Sequence, residues 1–253
     1  MAEVSFRFYE ELNDFLPPNR KKRDFTVPFR PQNSIKDMIE SVGVPHTEVD
    51  LILVNGKSVD FSYIVQLGDQ ISVYPVFESL DISNVTRLRP APLRRTRFVL
   101  DTHLGKLARY LRLLGFDTLY NNAWHDAGLA EIASAGDKRI LLTRDYGLLK
   151  RKQVTHGYFV RNDKPEEQVR EVLARFHLWQ AVRPFSRCTQ CNGLIQPVEK
   201  VQVLDRLPHR VAEVFDRFSA CMDCKRVYWQ GSHYDHMLRI IDGLLNKPVT
   251  GDW

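Results

Sequence analysis

The chain has no run of apolar residues approaching the roughly 18 that a membrane-spanning helix needs, so no helical membrane segment is expected across its 253 residues. Its opening residues, Met1 to Phe8, alternate apolar and polar groups and lack the apolar core of a secretion signal. The expected location is therefore the cytoplasm. Cysteine is scarce, at four residues, and in a reducing compartment such a set does not staple a fold by disulfides. Internal repeats and low-complexity tracts are absent. Acid is nearly missing from one stretch, where Arg87, Arg89, Arg94, Arg95, Arg97, Lys106, Arg109 and Arg112 are interrupted by Asp101 alone. The whole chain carries a formal charge of +5, which suits a polyanionic partner without requiring one. Apolar residues at 43% and charged residues at 26% are ordinary for a folded soluble protein, and the length allows two or three compact units.

The first eighty residues read as strand, strand, helix and further strands. Val4, Phe6 and Phe8 alternate as a half-buried strand does, and Phe25, Val27 and Phe29 repeat the pattern after a Pro17-Pro18-Asn19 turn. A helix follows, with Ser34 as N-cap and Ile35, Met38, Ile39 and Val42 as its buried stripe. Leu51 to Val54 is a strand leading into Asn55-Gly56, a strong tight-turn signal. A Leu67-Gly68-Asp69 turn then opens a closing strand through Ile71 and Val73 to about Val76. This order resembles the ubiquitin-like β-grasp fold. Carriers of that fold act through a free terminal Gly-Gly, whereas here Pro75-Val76-Phe77-Glu78 runs on into more chain. A docking, RNA-contact or structural role is expected in place of a carrier role. Residues 81–96, with Pro90, Pro92 and several arginines, read as a linker.

From Phe98 onward short apolar strands alternate with helices. Phe98-Val99-Leu100 ends in Asp101, and a helix is expected from about His103 to Leu114. A strand at Phe116 to Tyr120 and a helix from about Asp126 follow. Ile140 to Thr143 then ends in Arg144-Asp145. Tyr158 to Val160 and a helix over Glu166 to Phe176 close the unit. Such strands imply a parallel sheet covered on both faces, and open parallel sheets bind ligands outside their carboxyl ends. Asp101, Asp126, Asp145 and Asp163 all lie at or soon after such ends, where carboxylate oxygens suit Mg2+. Singly, each has a plainer use: Asp101 and Asp126 as helix N-caps, Asp145 and Asp163 as turn residues. Their joint placement is what points to a cation that polarises a phosphodiester and activates water. On the first helix Leu104, Leu107, Ala108, Leu111 and Leu114 form an apolar stripe. Lys106, Arg109 and Arg112 lie roughly opposite, as either a solvated face or a ridge for a phosphate backbone.

The segments Phe98 to Asp101, Leu104 to Asp117 and Leu142-Thr143-Arg144-Asp145 resemble the Mut-7 C-terminal RNase domain family. The resemblance implies a PIN-like fold with an appended zinc ribbon, preceded in some members by a ubiquitin-like domain. It implies metal-dependent RNA cleavage, with Asp101, Asp126 and Asp145 as Mg2+ or Mn2+ ligands and Asp163 as a fourth candidate. Glu131 is the alternative should Asp126 be a cap. Lys106, Arg109 and Arg144 are carried over as phosphate or scaffold contacts. Tyr110 stands where the family motif often has tryptophan.

All four cysteines fall into two pairs, Cys188-Thr189-Gln190-Cys191 and Cys221-Met222-Asp223-Cys224. Two such knuckles offer Zn2+ four thiolates in a closed, structural site, with a long hairpin expected between them. The stretch Tyr228 to Met237 also resembles the family's ending. Its His233 and His236 either touch RNA or approach the active site, or else stabilise the ribbon's packing on the nuclease domain, and His209 has no stronger claim. The expected architecture is a β-grasp domain over 1–80, a linker over 81–96, a parallel-sheet α/β nuclease domain over 97–183 and a zinc ribbon with tail over 184–253. The expected activity is RNA hydrolysis, with a protein partner also expected through the β-grasp domain. The rival readings are a non-catalytic RNA-binding adaptor, whose binding survives chelation, and a protein-interaction scaffold, which has no salt-dependent affinity for RNA.

Overall fold

The computed structural model of the protein describes residues 3–75, 88, 96–136 and 138–246. Alternation in the first strand, β1 (Glu3–Phe8), buries Val4, Phe6 and Phe8 on one face. After β2 (Phe25–Pro28) comes helix α1 (Ile35–Ser41), whose start is fixed by Ser34 Oγ accepting the Asp37 N–H at 3.1 Å. Strands β3 (Val49–Val54), β4 (Lys57–Val59) and β5 (Gln70–Pro75) complete a sheet of order β2-β1-β5-β3-β4, with β1 and β5 parallel at its centre. That is the β-grasp arrangement. Asn55 and Gly56, at φ +51° and +79°, turn β3 into β4, as a type I′ hairpin requires. Asp69, 4% exposed, pins the later turn by accepting from Asn55 Nδ2, the Gln66 N–H and the Tyr63 hydroxyl. Phe6, Phe8, Ile35, Ile39, Ile52 and Val73 lie at the centre of this core.

The middle of the chain alternates as expected. It runs through β6 (Phe98–Leu100), α2 (Gly105–Leu113), β7 (Thr118–Tyr120), α3 (Asp126–Ser134), β8 (Ile140–Thr143), α4 (Tyr146–Leu149), β9 (Gly157–Phe159) and α5 (Pro165–Arg175). β6 pairs in parallel with β7, and β8 in parallel with β9. The expected helix at His103 begins with a 3-10 turn, Thr102–Leu104, capped by Asp101, before α2 proper starts. Its stripe is buried at Leu104, Leu107, Ala108, Leu111 and Leu114. Gly115 ends α2 at φ +97°, and a Cβ there would sit 2.2 Å from the Arg183 carbonyl oxygen. No other residue permits both that backbone and that approach. The one-turn helix α4 was not legible from periodicity, because a single turn carries no repeat.

The cysteine-bearing region is a three-stranded antiparallel sheet of β10 (Ile195–Val198), β11 (Phe218–Cys221) and β12 (Val227–Trp229), in the order β10-β11-β12. The long hairpin between the knuckles holds two 3-10 turns and the short helix α6 (His209–Val214). A final helix, α7 (Ser232–Leu245), was not anticipated. Arg170 of α5, 3% exposed, donates to the carbonyls of Gly243 and Leu244 and so ties α5 to the last turn of α7.

The chain divides into two compact units, Met1–Arg95 with Ala130–Phe159, and Thr96–Leu129 with Val160–Trp253. In the first, β8, α4 and β9 join the β-grasp domain through buried polar contacts. Phe159 N–H donates to Glu48 Oε1 at 2.6 Å, and His46 Nε2 lies 2.8 Å from the Val154 carbonyl oxygen. Most of the expected linker, including Arg87, Arg89, Arg94 and Arg95, lies outside the described residues, as does the continuation Val76 to Glu78.

Candidate functional site

Asp101 follows β6 directly and is 6% exposed. Its Oδ1 accepts the Thr102 N–H at 2.6 Å and the Thr102 hydroxyl at 3.2 Å, so the carboxylate is oriented by the turn it caps. Tyr120, at the end of β7, donates from its hydroxyl to the Thr102 carbonyl at 3.0 Å, fixing that turn from the neighbouring strand. Gly105 makes this possible, since a Cβ there would meet the Tyr120 hydroxyl at 2.7 Å.

Asp126 is the first residue of α3 and is exposed. Asp163 is exposed just before α5. The loop leading to it is held by Glu171, 2% exposed, whose carboxylate accepts the N–H groups of Arg161 at 2.8 Å and Asn162 at 3.0 Å. Asp145 belongs to the first unit, two residues past β8. It is exposed, and its Oδ1 accepts the Gly147 N–H at 2.7 Å while its own N–H donates to Thr143 Oγ1 at 2.9 Å. Glu131, on α3, is exposed.

Among the cations, Lys106 and Arg109 are exposed on α2, and Arg144 is half-buried beside Asp145. Arg112, expected among the RNA contacts, is 5% exposed instead. Its guanidinium donates to the carbonyl oxygens of Thr118 at 2.8 Å, Gln190 at 2.9 Å and Thr189 at 3.2 Å, and reaches Tyr120 O at 3.5 Å. Burial lowers its pKa from the usual arginine value, against the raising influence of Cys188, Cys191 and Asp117. A guanidinium engaged on so many carbonyls joins α2 to β7 and the first cysteine knuckle and is not offered to a phosphate.

The four cysteine Sγ atoms lie within 4.8 Å of one another. Cys188 to Cys224 spans 3.7 Å and Cys191 to Cys221 spans 3.3 Å. A tetrahedron with Zn–S bonds of about 2.3 Å has sulfur–sulfur edges of about 3.8 Å, so the set is positioned to bind a metal and fits zinc. Burial raises the Cys188 thiol, but hydrogen bonds from the Tyr228 hydroxyl and the backbone N–H groups of Cys191 and Gln190 outweigh it and bring it down to about 7. Burial pushes Cys221 up, and burial with neighbouring thiols pushes Cys224 up to about 12. Thiolate is therefore favoured at Cys188 over Cys221 and Cys224. Asn192, 6% exposed, accepts the Thr118 N–H at 2.9 Å and donates to Asp117 at 2.9 Å, seating the first knuckle against β7. Sequence reading missed Glu171 and Glu48, and missed the contacts that Asn192 and Tyr228 make, because nothing in a single asparagine, tyrosine or glutamate announces a partner remote in the chain. His233, His236 and His209 are exposed, and His209 Nδ1 lies 3.3 Å from Glu213.

A β-grasp sheet in front of a parallel-stranded α/β region that carries a four-thiol ribbon defines the class of this protein. The chain belongs to the Mut7-C RNAse domain family: the family model matches residues 96–241, and the Mut7-C ubiquitin model matches residues 1–81. Among solved structures, H. volcanii small archaeal modifier protein 1 is similar at 12% identity and a TM-score of 0.24, over 30% of this chain and 98% of that one. A search of curated proteins finds no match.

Proposed function

We propose that this protein hydrolyses RNA phosphodiester bonds in the cytoplasm, with Mg2+ or Mn2+ held by Asp101, Asp126 and Asp145 and assisted by Asp163. The observation that carries the reading is the family match over residues 96–241. Support comes from four acids at or soon after the carboxyl ends of short apolar strands, where open parallel sheets take ligands. Their oxygen donors suit a hard cation. Such an ion supplies Lewis acidity and a more acidic bound water. The protein's part is to orient and to hold. Asp101 is aimed by the turn it caps, Asp145 by the Gly147 N–H of α4, and Lys106, Arg109 and Arg144 contact phosphates. Zn2+ in the four-thiolate site is structural, because a closed shell leaves no position for substrate.

A panel of defined RNAs, incubated with Mg2+, Mn2+ or EDTA, tests this directly. Wild type gives products with either ion and none with EDTA. Asp101→Asn and Asp145→Asn each lower the cleavage rate by about two orders of magnitude or more, with fold and RNA binding kept. A double variant cleaving at the wild-type rate sinks the assignment. Lys106→Ala and Arg109→Ala weaken RNA binding across sequences, each reducing the slope of log K against log salt by about 0.7 on single strands.

A further inference from the structure

We infer that the β-grasp domain is a fixed positioning module for Asp145, acting through Phe15, Glu40 and Glu48; this rests on the reading of Asp145 as a metal ligand. Helix α4 is four residues long. One turn makes too few internal hydrogen bonds to offset the cost of ordering it, so what holds it must come from elsewhere. The Asp145 carboxylate is aimed by the Gly147 N–H at the start of this turn. If α4 frays, that hydrogen bond and the carboxylate's direction go with it.

The β-grasp domain holds the turn at both ends. At its start, the Tyr146 ring stacks on Phe159 at 4.1 Å and 12°, and Phe15 packs edge-on against both rings, at 5.2 Å and 5.9 Å. At its end, Lys150 Nζ donates to the Glu40 carbonyl oxygen at 3.0 Å. Below it, Glu48, fully buried, accepts the Phe159 N–H at 2.6 Å and so fixes the strand on which Tyr146 rests. His46, 5% exposed, sits between Glu40 Oε1 at 2.6 Å and the Val154 carbonyl at 2.8 Å. Buried polar groups of this kind are costly to separate from their partners. The domain is therefore built to stay docked, which is the opposite of what a detachable carrier needs.

The test pairs Phe15→Ala, on the rim of the contact, with Glu48→Ala and Glu48→Gln in the full chain. Glutamine keeps an oxygen that accepts the Phe159 N–H, and alanine does not. Two readouts are taken: hydrogen exchange at the Gly147 amide, and kcat and KM for RNA as Mn2+ is varied. Positioning predicts faster Gly147 exchange in Phe15→Ala and Glu48→Ala, and near wild-type exchange in Glu48→Gln. It also predicts kcat lowered by about tenfold or more, a raised Mn2+ requirement and KM for RNA changed less than about twofold. A purely structural contact would lower the melting temperature while leaving kcat and the Mn2+ requirement of the folded fraction unchanged, and that result overturns the inference. Unaltered Gly147 exchange in folded Phe15→Ala overturns it too. Because exchange is read without substrate, it judges the positioning even if wild type cleaves no RNA, a result that would end the nuclease reading alone.

Discussion

The guanidinium of Arg112 and the ammonium of Lys106 lie less than two turns apart on one helix, yet one is buried among carbonyl oxygens and the other faces solvent. Their positions in the sequence suggested a shared face; only the return of the first cysteine knuckle against α2 and β7 separates their uses. Arg112→Ala would leave several buried carbonyls without a donor and open a cavity. It should cost about 3 kcal/mol or more, read as a lowered denaturant midpoint, while the salt slope of RNA binding stays at its wild-type value. Arg112→Lys should not rescue stability, because one ammonium cannot span the same acceptors in a planar fork. Loss of salt dependence with unchanged stability would return Arg112 to the phosphate-contacting set. The aspartates differ in the same way: Asp101 is buried against its own turn, whereas Asp145 is exposed at the head of a single turn.

Among the elements, the ribbon has four thiols positioned to bind a metal, and an ion bound there would hold its two knuckles together. Thiolate is the ligating form, so every proton returned competes with the metal and affinity falls as pH falls. With Cys188 brought down to about 7, that thiol takes up a proton between pH 8 and pH 6, so a chelator should strip metal from the loaded ribbon more readily at pH 6 than at pH 8, followed with a metallochromic indicator. Hydrogen exchange on the stripped protein should show β10, β11 and β12 losing protection. β7 should lose protection with them, because Arg112 and Asn192 link it to the first knuckle. Protection of β7 that ignores metal removal would contradict that linkage. The paired cysteine spacing made the four-thiol cluster legible in advance. Helix α7 was not, since its value lies in Arg170 reaching its last carbonyls from α5, a contact that no local pattern encodes.

Across the whole molecule, the division into units does not follow the order of the chain. Ala130–Phe159 groups with the β-grasp domain and Thr96–Leu129 with the ribbon-bearing region. Because Glu48 and His46 are buried against this inserted segment, the β8–α4–β9 amides should exchange with the N-terminal sheet as one cooperative block under low denaturant. Native-state exchange checks this: separate opening free energies for β1 and β9 would show two independent blocks.

The sequence by itself determined the local elements, the β-grasp order and the cysteine pairing. Alternating phenylalanines, the Ser34 cap, the Asn55-Gly56 turn and two knuckles are each written within a few residues and depend on short-range sterics and hydrogen bonding. Tertiary structure decided what each charge is for. Whether Arg112 faces solvent, or Glu48 meets a strand more than a hundred residues away, depends on which surfaces pack together. Those contacts are long-range, set by burial and by the need to pair every buried polar group.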